Sequence, residues 1–573
     1  MNSSPAWEYF ERIDDDYIKC RLCNERKKQP KSSGTTNAVK HLRSVHHLDI
    51  HSEHNYAKRA ANDKTILTQE EKERLLLDCI CIDYQPFSVV EDKGFRKLVS
   101  SLDPTFVLPS RKKLSNELLT ERYEDVLNKL KNCLDGASHV CLTADSWTSS
   151  ANIQYLAVTC HLIDIQYEYK SVLLDVIEIE SHTSAAIAKN LVKVISDYHL
   201  TGKVVCLVTD NASDMKLAAS LSHLAWVGCV AHKLNLVVQD LLKSDEIIIK
   251  LRQDVREIVS SFRRSPKQTS RLSKFIERYN LPKLKLKLEC ETRWNSCYHM
   301  FERFSRLRVA IIECLDSSPD RSVKLSSQQY ELLAFLLKVL KPFEKLSSYF
   351  SASDNVYASM LIYLSSQLVS ELDSVECFSE SHEKYLQLLR ASLKRRGFMN
   401  FHSDKLFALP TLLDPRIKSE GFATNSARDA AKDFLVRELH QYDRSSSVQL
   451  QLIPENDDDS NNTNGIFSEL IARKNRAYEL KRNTSSAIVE INRYLSENSI
   501  PLDENPLLWW KTRSSVYPTL SRAALKYLTI VTNSVPCERI FSKLGLVLTD
   551  RRSRLSSSQL KMIALIHCNN QIL

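Results

Sequence analysis

Three consecutive runs decide the fold: SHVCLTADSWTS at 138–149, NIQYLAVTCHLID at 152–164 and YKSVLLDVIEIE at 169–180. Each is rich in β-branched and aromatic residues, and polar turns at hairpin-like spacing separate them, so they read as sequential antiparallel strands. A helical pattern follows at 184–200, SAAIAKNLVKVISDYHL. KVVCLVTD at 203–210 is then the short continuous apolar run of a buried strand. HLAWVGCVAHKLNLVVQDLLK at 223–243 adds one more short strand and a helix. Three strands, helix, strand, helix, strand is an α/β layout with a mixed sheet.

Around this core the texture is helical. Residues 66–135 carry a helical pattern broken at Pro86, Pro104 and Pro109, and 245–500 is almost wholly helical, with Leu-rich segments such as SQQYELLAFLLKVLKPFEKLSSYF. Within it, 443–465, DRSSSVQLQLIPENDDDSNNTNG, is polar and acidic and reads as a disordered loop. After about 505 apolar helices return, one of them starting near Pro536.

A chain of 573 residues, 43% apolar and 26% charged, is long enough for several cores and too apolar to be mainly disordered. The first residues carry charge where a signal peptide needs an apolar core, and no run approaches the roughly 18 apolar residues of a membrane span, so a soluble, non-secreted protein is expected. Fifteen cysteines, an odd number, point to buried thiols and a metal site rather than disulfides. The net charge of +9 is concentrated: ten Lys/Arg against two acids from Lys511 to Lys561, and eleven against three from Leu251 to Lys287. Such stretches suit a polyanion, most simply nucleic acid, although a solvated helix face has the same composition.

Two sets of residues carry chemistry. Cys20 and Cys23 form a C-x-x-C pair, and His41 and His46 form an H-x-x-x-x-H pair after seventeen intervening residues. Two thiolates from a knuckle and two imidazoles from a helix make a tetrahedral zinc site, with His47 as the alternative fourth ligand. The second set is acidic. Asp145 and Asp210 stand just past apolar stretches of the first and fourth strand runs; if those strands are neighbours, the two side chains emerge side by side at one sheet edge. Close carboxylates repel unless a divalent cation neutralises them. Glu538, in SVPCERIF, is the only acid from Lys511 to Thr549, amid Lys511, Arg513, Arg522, Lys526, Arg539 and Lys543. Pro536 starts a helix there, which puts Glu538 in its first turn, where the helix dipole alone favours a carboxylate. As a third ligand it completes a site for two-metal phosphoryl displacement with Mg²⁺ or Mn²⁺.

The amino-terminal unit, AWEYF…CRLC…HLRSVH, resembles the BED-type zinc finger, a DNA-binding module. Trp7 and Phe10 then read as its small core, and Lys31, Asn37, Lys40 and Arg43 as candidates to reach phosphate or base edges. LTADSWTS, VTDNASDM, CVAHKLNL, TRWNS and SVPCERIFSKLGLVLTDRRSRL together resemble the ordered motifs of hAT-superfamily transposases. YQPFSVVEDKGFRKLV and FVLPSR are similar to the helical segment that precedes the catalytic core there. The resemblance implies an α/β RNase H-like core with a mixed sheet, interrupted by a large all-α insertion and preceded by a zinc finger and a helical segment. Its divisions fall at 1–52 (finger), 53–135 (linker and helical DNA-binding or oligomerisation segment), 136–245 (core, first part), 246–504 (insertion) and 505–573 (core, last part, and dimerisation region).

By position the family's catalytic acids fall on Asp145, Asp210 and Glu538. Cys229 and His232 match its C-x-x-H motif, with the histidine near the reacting phosphate, while a buried strand thiol is the simpler reading of Cys229. Arg293 and Trp294 match its RW motif, whose tryptophan stacks on DNA, although a Leu-rich helical domain can equally bury a tryptophan as core. The implied activity is cut-and-paste DNA transposition, with structural Zn²⁺ and catalytic Mg²⁺ or Mn²⁺, on double-stranded DNA, as a homodimer or larger assembly in the nucleus. In that route water attacks first, and the freed hydroxyl then forms a hairpin on flanking DNA. The alternative is a domesticated, dimerising transcription regulator that binds DNA without cutting it.

Overall fold

The computed structural model describes residues 9–14, 16–21, 23, 25–28, 38, 41–42, 67–149, 151–290, 294–317, 323–352, 358–449, 487–548 and 555–570. They fall in two compact units, one drawn from 1–76 and 93–109, the other from 77–92 and 110–573.

In the first unit, β1 (Phe10–Arg12), β2 (Tyr17–Cys20) and β3 (Arg26–Lys28) form an antiparallel meander. The Asp14 carboxylate closes the first turn by accepting from the Asp16 and Tyr17 N–H groups at 2.9 and 2.8 Å. Phe10, Ile18, Cys20, Ala38 and Leu42 are its buried side chains, so Phe10 is the core residue its position suggested. Trp7 lies outside the described residues.

The second unit is built on a five-stranded sheet of β4 (Val140–Thr148), β5 (Gln154–Ile163), β6 (Tyr169–Glu178), β7 (Val204–Thr209) and β8 (Trp226–Gly228), in the order β6-β5-β4-β7-β8. β4, β5 and β6 are antiparallel, whereas β7 runs parallel to β4, and β8 to β7. The sheet is mixed, as the pattern of runs predicts. Alternation along β4 sorts its residues between two faces. Val140, Leu142 and Ala144 share a core with the helices Leu119–Asp135, Ser184–Asp197 and Ser213–Leu221. Cys141, together with Cys206 and Val208 of β7, joins a larger core that continues through the helices from Val230 to Tyr527.

The end of the chain returns to the sheet. Helices Val535–Val547 and Ser557–Cys568 pack Cys537, Ile540, Leu544 and Leu560 against Tyr155, Ala157, Leu173 and Val176 of β5 and β6. The Asn569 amide also accepts from the Leu173 N–H and donates to its carbonyl, both at 2.9 Å, which satisfies backbone groups of the edge strand β6. The apolar faces of 518–527 and 557–568 are therefore covered within this chain.

All fifteen cysteines are free. Helix Asn425–Gln449 runs seven residues into the segment read as an acidic loop, so 443–449 are helical; 450–465 lie outside the described residues. No helix among the described residues is long and apolar enough to cross a membrane.

Candidate functional site

Asp145 lies inside β4 rather than at its end, since the strand continues to Thr148. β4 and β7 pair Thr143 with Val208, and two further steps in that register bring Asp145 level with Asp210, just beyond β7. On the face of β4 shared by Thr143 and Asp145 sits the helix Val535–Val547. Its Cys537 is fully buried, with Sγ 3.2 Å from Thr143 Oγ1 and 3.7 Å from the Thr143 and Ala157 carbonyl oxygens. Thr143 and Cys537 are 394 positions apart in sequence. Glu538, the next residue, is exposed in the first turn of that helix, as Pro536 predicts.

The three carboxylates share an electrostatic neighbourhood. Burial first, then Asp210, and more weakly Glu538, push the Asp145 carboxyl up to about 7 against the opposing hydrogen bond from the Ser146 N–H, which donates to Oδ1 at 2.8 Å. The sign of the consequence follows directly. An unfolded Asp145 ionises near pH 4, whereas the folded carboxyl keeps its proton to about 7. Its cost to the fold is thus absent below pH 4, grows between 4 and 7, and is complete above 7. Asp145→Asn is expected to raise the stability of the metal-free chain at pH 8 by about 2–4 kcal/mol and to change little at pH 4, measured by urea unfolding at both pH values.

Among the described residues, the acids do not form a group whose ligand oxygens all lie within 4.8 Å of one another; Cys20, Cys23 and His41 do form such a group. In the finger, Cys23 Sγ lies 3.3 Å from His41 Nε2, while His41 Nδ1 faces Glu25 Oε2 at 3.4 Å. The Glu25 carboxylate thus stands beside the ring nitrogen left over when Nε2 faces the thiols. Two soft sulfurs and a nitrogen converging in this way fit structural zinc. His46, His47, Lys31, Asn37, Lys40 and Arg43 lie outside the described residues, as does Arg293.

Cys229, directly before helix Val230–Leu242, is fully buried, and its sulfur accepts from the Ser534 N–H at 3.5 Å. Burial pushes its thiol up, and the Glu538 charge adds to the effect, so this helix start lies beside the Glu538 helix. His232, half-buried in the first turn after Cys229, shares that location.

Of the two readings of Trp294, its position is that of a core residue. It is 2% exposed and meets Phe343 and Tyr298 edge-on, with ring centroids 6.5 Å apart in both pairs. Stacking on a base needs an open ring face, which a core tryptophan lacks, so its role as a DNA contact is withdrawn. Trp294→Ala is expected to destabilise the protein by about 3–5 kcal/mol, the cost of a large core truncation, read from chemical denaturation.

The basic surround of Glu538 is also divided. Arg513 pairs with Glu497 at 3.7 Å and Lys526 with Glu438, so both are neutralised by acids remote in sequence. Two neighbours of the acids went unforeseen: Cys537, which pins the Glu538 helix to the sheet, and His182, whose Nε2 lies 2.8 Å from Ser146 Oγ. Cys537 has a sequence signal in its place beside Glu538, whereas His182 has none.

Residues 4–47 match the BED zinc finger, 143–233 the ZBED1 RNase-like domain, 227–349 the ZBED1 RNase-like helical domain, and 490–569 the hAT family C-terminal dimerisation region. These matches, in that order along the chain, are to segments of hAT-family and BED zinc finger proteins. Its similarity to individual hAT and BED proteins is long but low. Human "Zinc finger BED domain-containing protein 4" is 25% identical over 94% of this chain and 49% of its own length. The maize protein named "Putative AC transposase" is 27% identical over 97% of this chain and 74% of its own. A Talaromyces stipitatus protein named "Putative transcriptional regulator tpeD" is 24% identical over 100% of this chain and 72% of its own. The chain therefore spans about half the length of the human relative.

Proposed function

We propose that this hAT-family chain is a cut-and-paste DNA transposase: it binds element ends as a homodimer or larger assembly and cleaves and transfers DNA strands at Asp145, Asp210 and Glu538. The observation that supports the reading is geometric: the parallel β4/β7 register brings Asp145 level with Asp210, and Cys537 holds the Glu538 helix on the same face of β4. Carboxylates on neighbouring elements are hard oxygen donors, and drawn together around an ion they would suit Mg²⁺ or Mn²⁺. A divalent ion held there supplies the positive charge that a phosphoryl displacement needs at its attacking and leaving oxygens.

The protein's own part is placement. β4 and β7 hold Asp145 and Asp210 on a rigid sheet, the Cys537 contact fixes the helix that presents Glu538, and His232 stands at the neighbouring helix start to meet a phosphate. In this reading the sheet unit is an RNase H-like core. Residues 246–504 are its all-α insertion, and 505–573 complete the core and contribute to dimerisation. The finger, holding zinc through Cys20, Cys23, His41 and His46, recognises DNA, and a nuclear location follows from that substrate.

The deciding experiment incubates the protein with DNA carrying its element's terminal repeats and Mg²⁺, and looks for cuts at the repeat ends. Binding without cutting favours the second reading, a DNA-binding regulator, which the similarity to a protein named as a transcriptional regulator supports.

A further inference from the structure

The stretch from Leu251 to Lys287, with eleven cations against three acids, takes no part in the acidic site. It contains helix Glu246–Arg264, helix Pro266–Arg278 and the segment 281–290, LPKLKLKLEC. From 283 to 288 lysines and leucines alternate: Lys283, Lys285 and Lys287 are exposed, Leu286 is buried, and Leu284 and Leu288 are half-buried. A period of two in exposure is the mark of extended backbone.

Between this segment and the two helices runs a groove of about 580 Å³. Leu272, Ile276 and Leu286 form its apolar floor, Arg263, Lys285 and Lys287 its charged rim, and among the described residues no carboxylate lines it. Three nearby acids pair with cations other than these three. Glu277 pairs with Lys283 at 3.2 Å, Glu289 with Arg252 at 2.7 Å, and Asp254 with Lys250 at 2.8 Å. Among the described residues, Arg263, Lys285 and Lys287 have no ion-pair partner.

We propose that Arg263, Lys285 and Lys287 form a phosphate track that holds one strand of nucleic acid along this groove. Alternate residues of an extended chain lie about 6.6 Å apart, close to the separation of successive phosphates on one strand, so Lys285 and Lys287 fall in register with two neighbouring phosphates. Long flexible lysines suit this sequence-independent contact, and the apolar floor suits the sugar edge beneath. The proposal rests on the DNA-handling reading only in choosing nucleic acid as the polyanion.

The test is fluorescence anisotropy of the full chain with labelled oligo-dT and with a duplex of arbitrary sequence, over a range of salt. For Lys285→Ala/Lys287→Ala, two lost phosphate contacts should flatten the log–log salt slope on oligo-dT by about 1.4 and weaken binding by about twenty-fivefold at 0.1 M salt. Lys285→Arg/Lys287→Arg should keep the parental slope, and so should Lys189→Ala/Lys193→Ala on helix Ser184–Asp197. A parental slope in the alanine pair overturns the track. Binding of polyglutamate that depends on the two lysines while the DNA slope does not would overturn it in favour of an acidic protein partner. Cleavage is not the readout, so the outcomes separate: a slope change without strand cleavage in Mg²⁺ sinks the transposase reading alone, and cleavage without a slope change sinks only the track.

Discussion

Glu538→Gln is expected to slow DNA strand cleavage by about a thousandfold or more, some 4 kcal/mol of transition-state stabilisation, while DNA affinity and melting temperature stay near parental values. The separation of effects follows from where the residue sits. Glu538 is exposed and its neighbour Cys537 is fully buried against Thr143, so one residue anchors the helix and the next, in the proposed reading, presents the chemistry. Glutamine keeps the size and the helix propensity but removes the charge that would hold a divalent ion beside Asp145 and Asp210. Single-turnover cleavage at saturating DNA measures the chemical step apart from binding. A Glu538→Gln enzyme that cuts at the parental rate would show that the acid from the end of the chain is a dipole-friendly helix residue and nothing more.

The sheet was legible because its signals are local. Each strand from Val140 to Gly228 is a short apolar run, and the helices between them have their own periodicity, so element type and order could be read directly. That β4 and β7 are neighbours was an inference from chemistry, since two aspartates at strand ends make sense as a pair only if the strands adjoin, and the parallel pairing bears it out. The position of Asp145 within β4 was off by a few residues, as strand ends usually are.

Charge was less legible than pattern. Lys526 and Arg513 look like part of a cationic surface when only their own segment is in view, but Glu438 and Glu497 come from elsewhere in the fold to meet them. Trp294 fails for a related reason. An aromatic residue at a helix start has the same sequence signature whether its face is open or pressed against Phe343, and only packing distinguishes the two. The lysines at 285 and 287 sit in a stretch read as helical, and only the structure shows the non-helical segment in which they alternate with leucines and face outward.

Replacing Cys20 or His41 by alanine should abolish zinc binding and unfold the finger, while the sheet unit melts as before. The structure explains the asymmetry. Among the described residues, the finger's apolar core is Phe10, Ile18, Cys20, Ala38 and Leu42, a small core to stand on without metal. Its folding free energy is largely metal-binding free energy, of order 10 kcal/mol or more in comparable modules. The sheet unit has separate cores that do not depend on this group. Zinc content of the purified chain should be one ion in the parent and none in Cys20→Ala or His41→Ala. The finger's amide resonances should collapse together in the variants, and sequence-specific DNA binding should go with them. Comparing His46→Ala with His47→Ala then identifies the fourth ligand, since only one of the two should release the ion. A Cys20→Ala chain that still carries one zinc per molecule would place the metal elsewhere, and Glu25 would then have no reason to face His41.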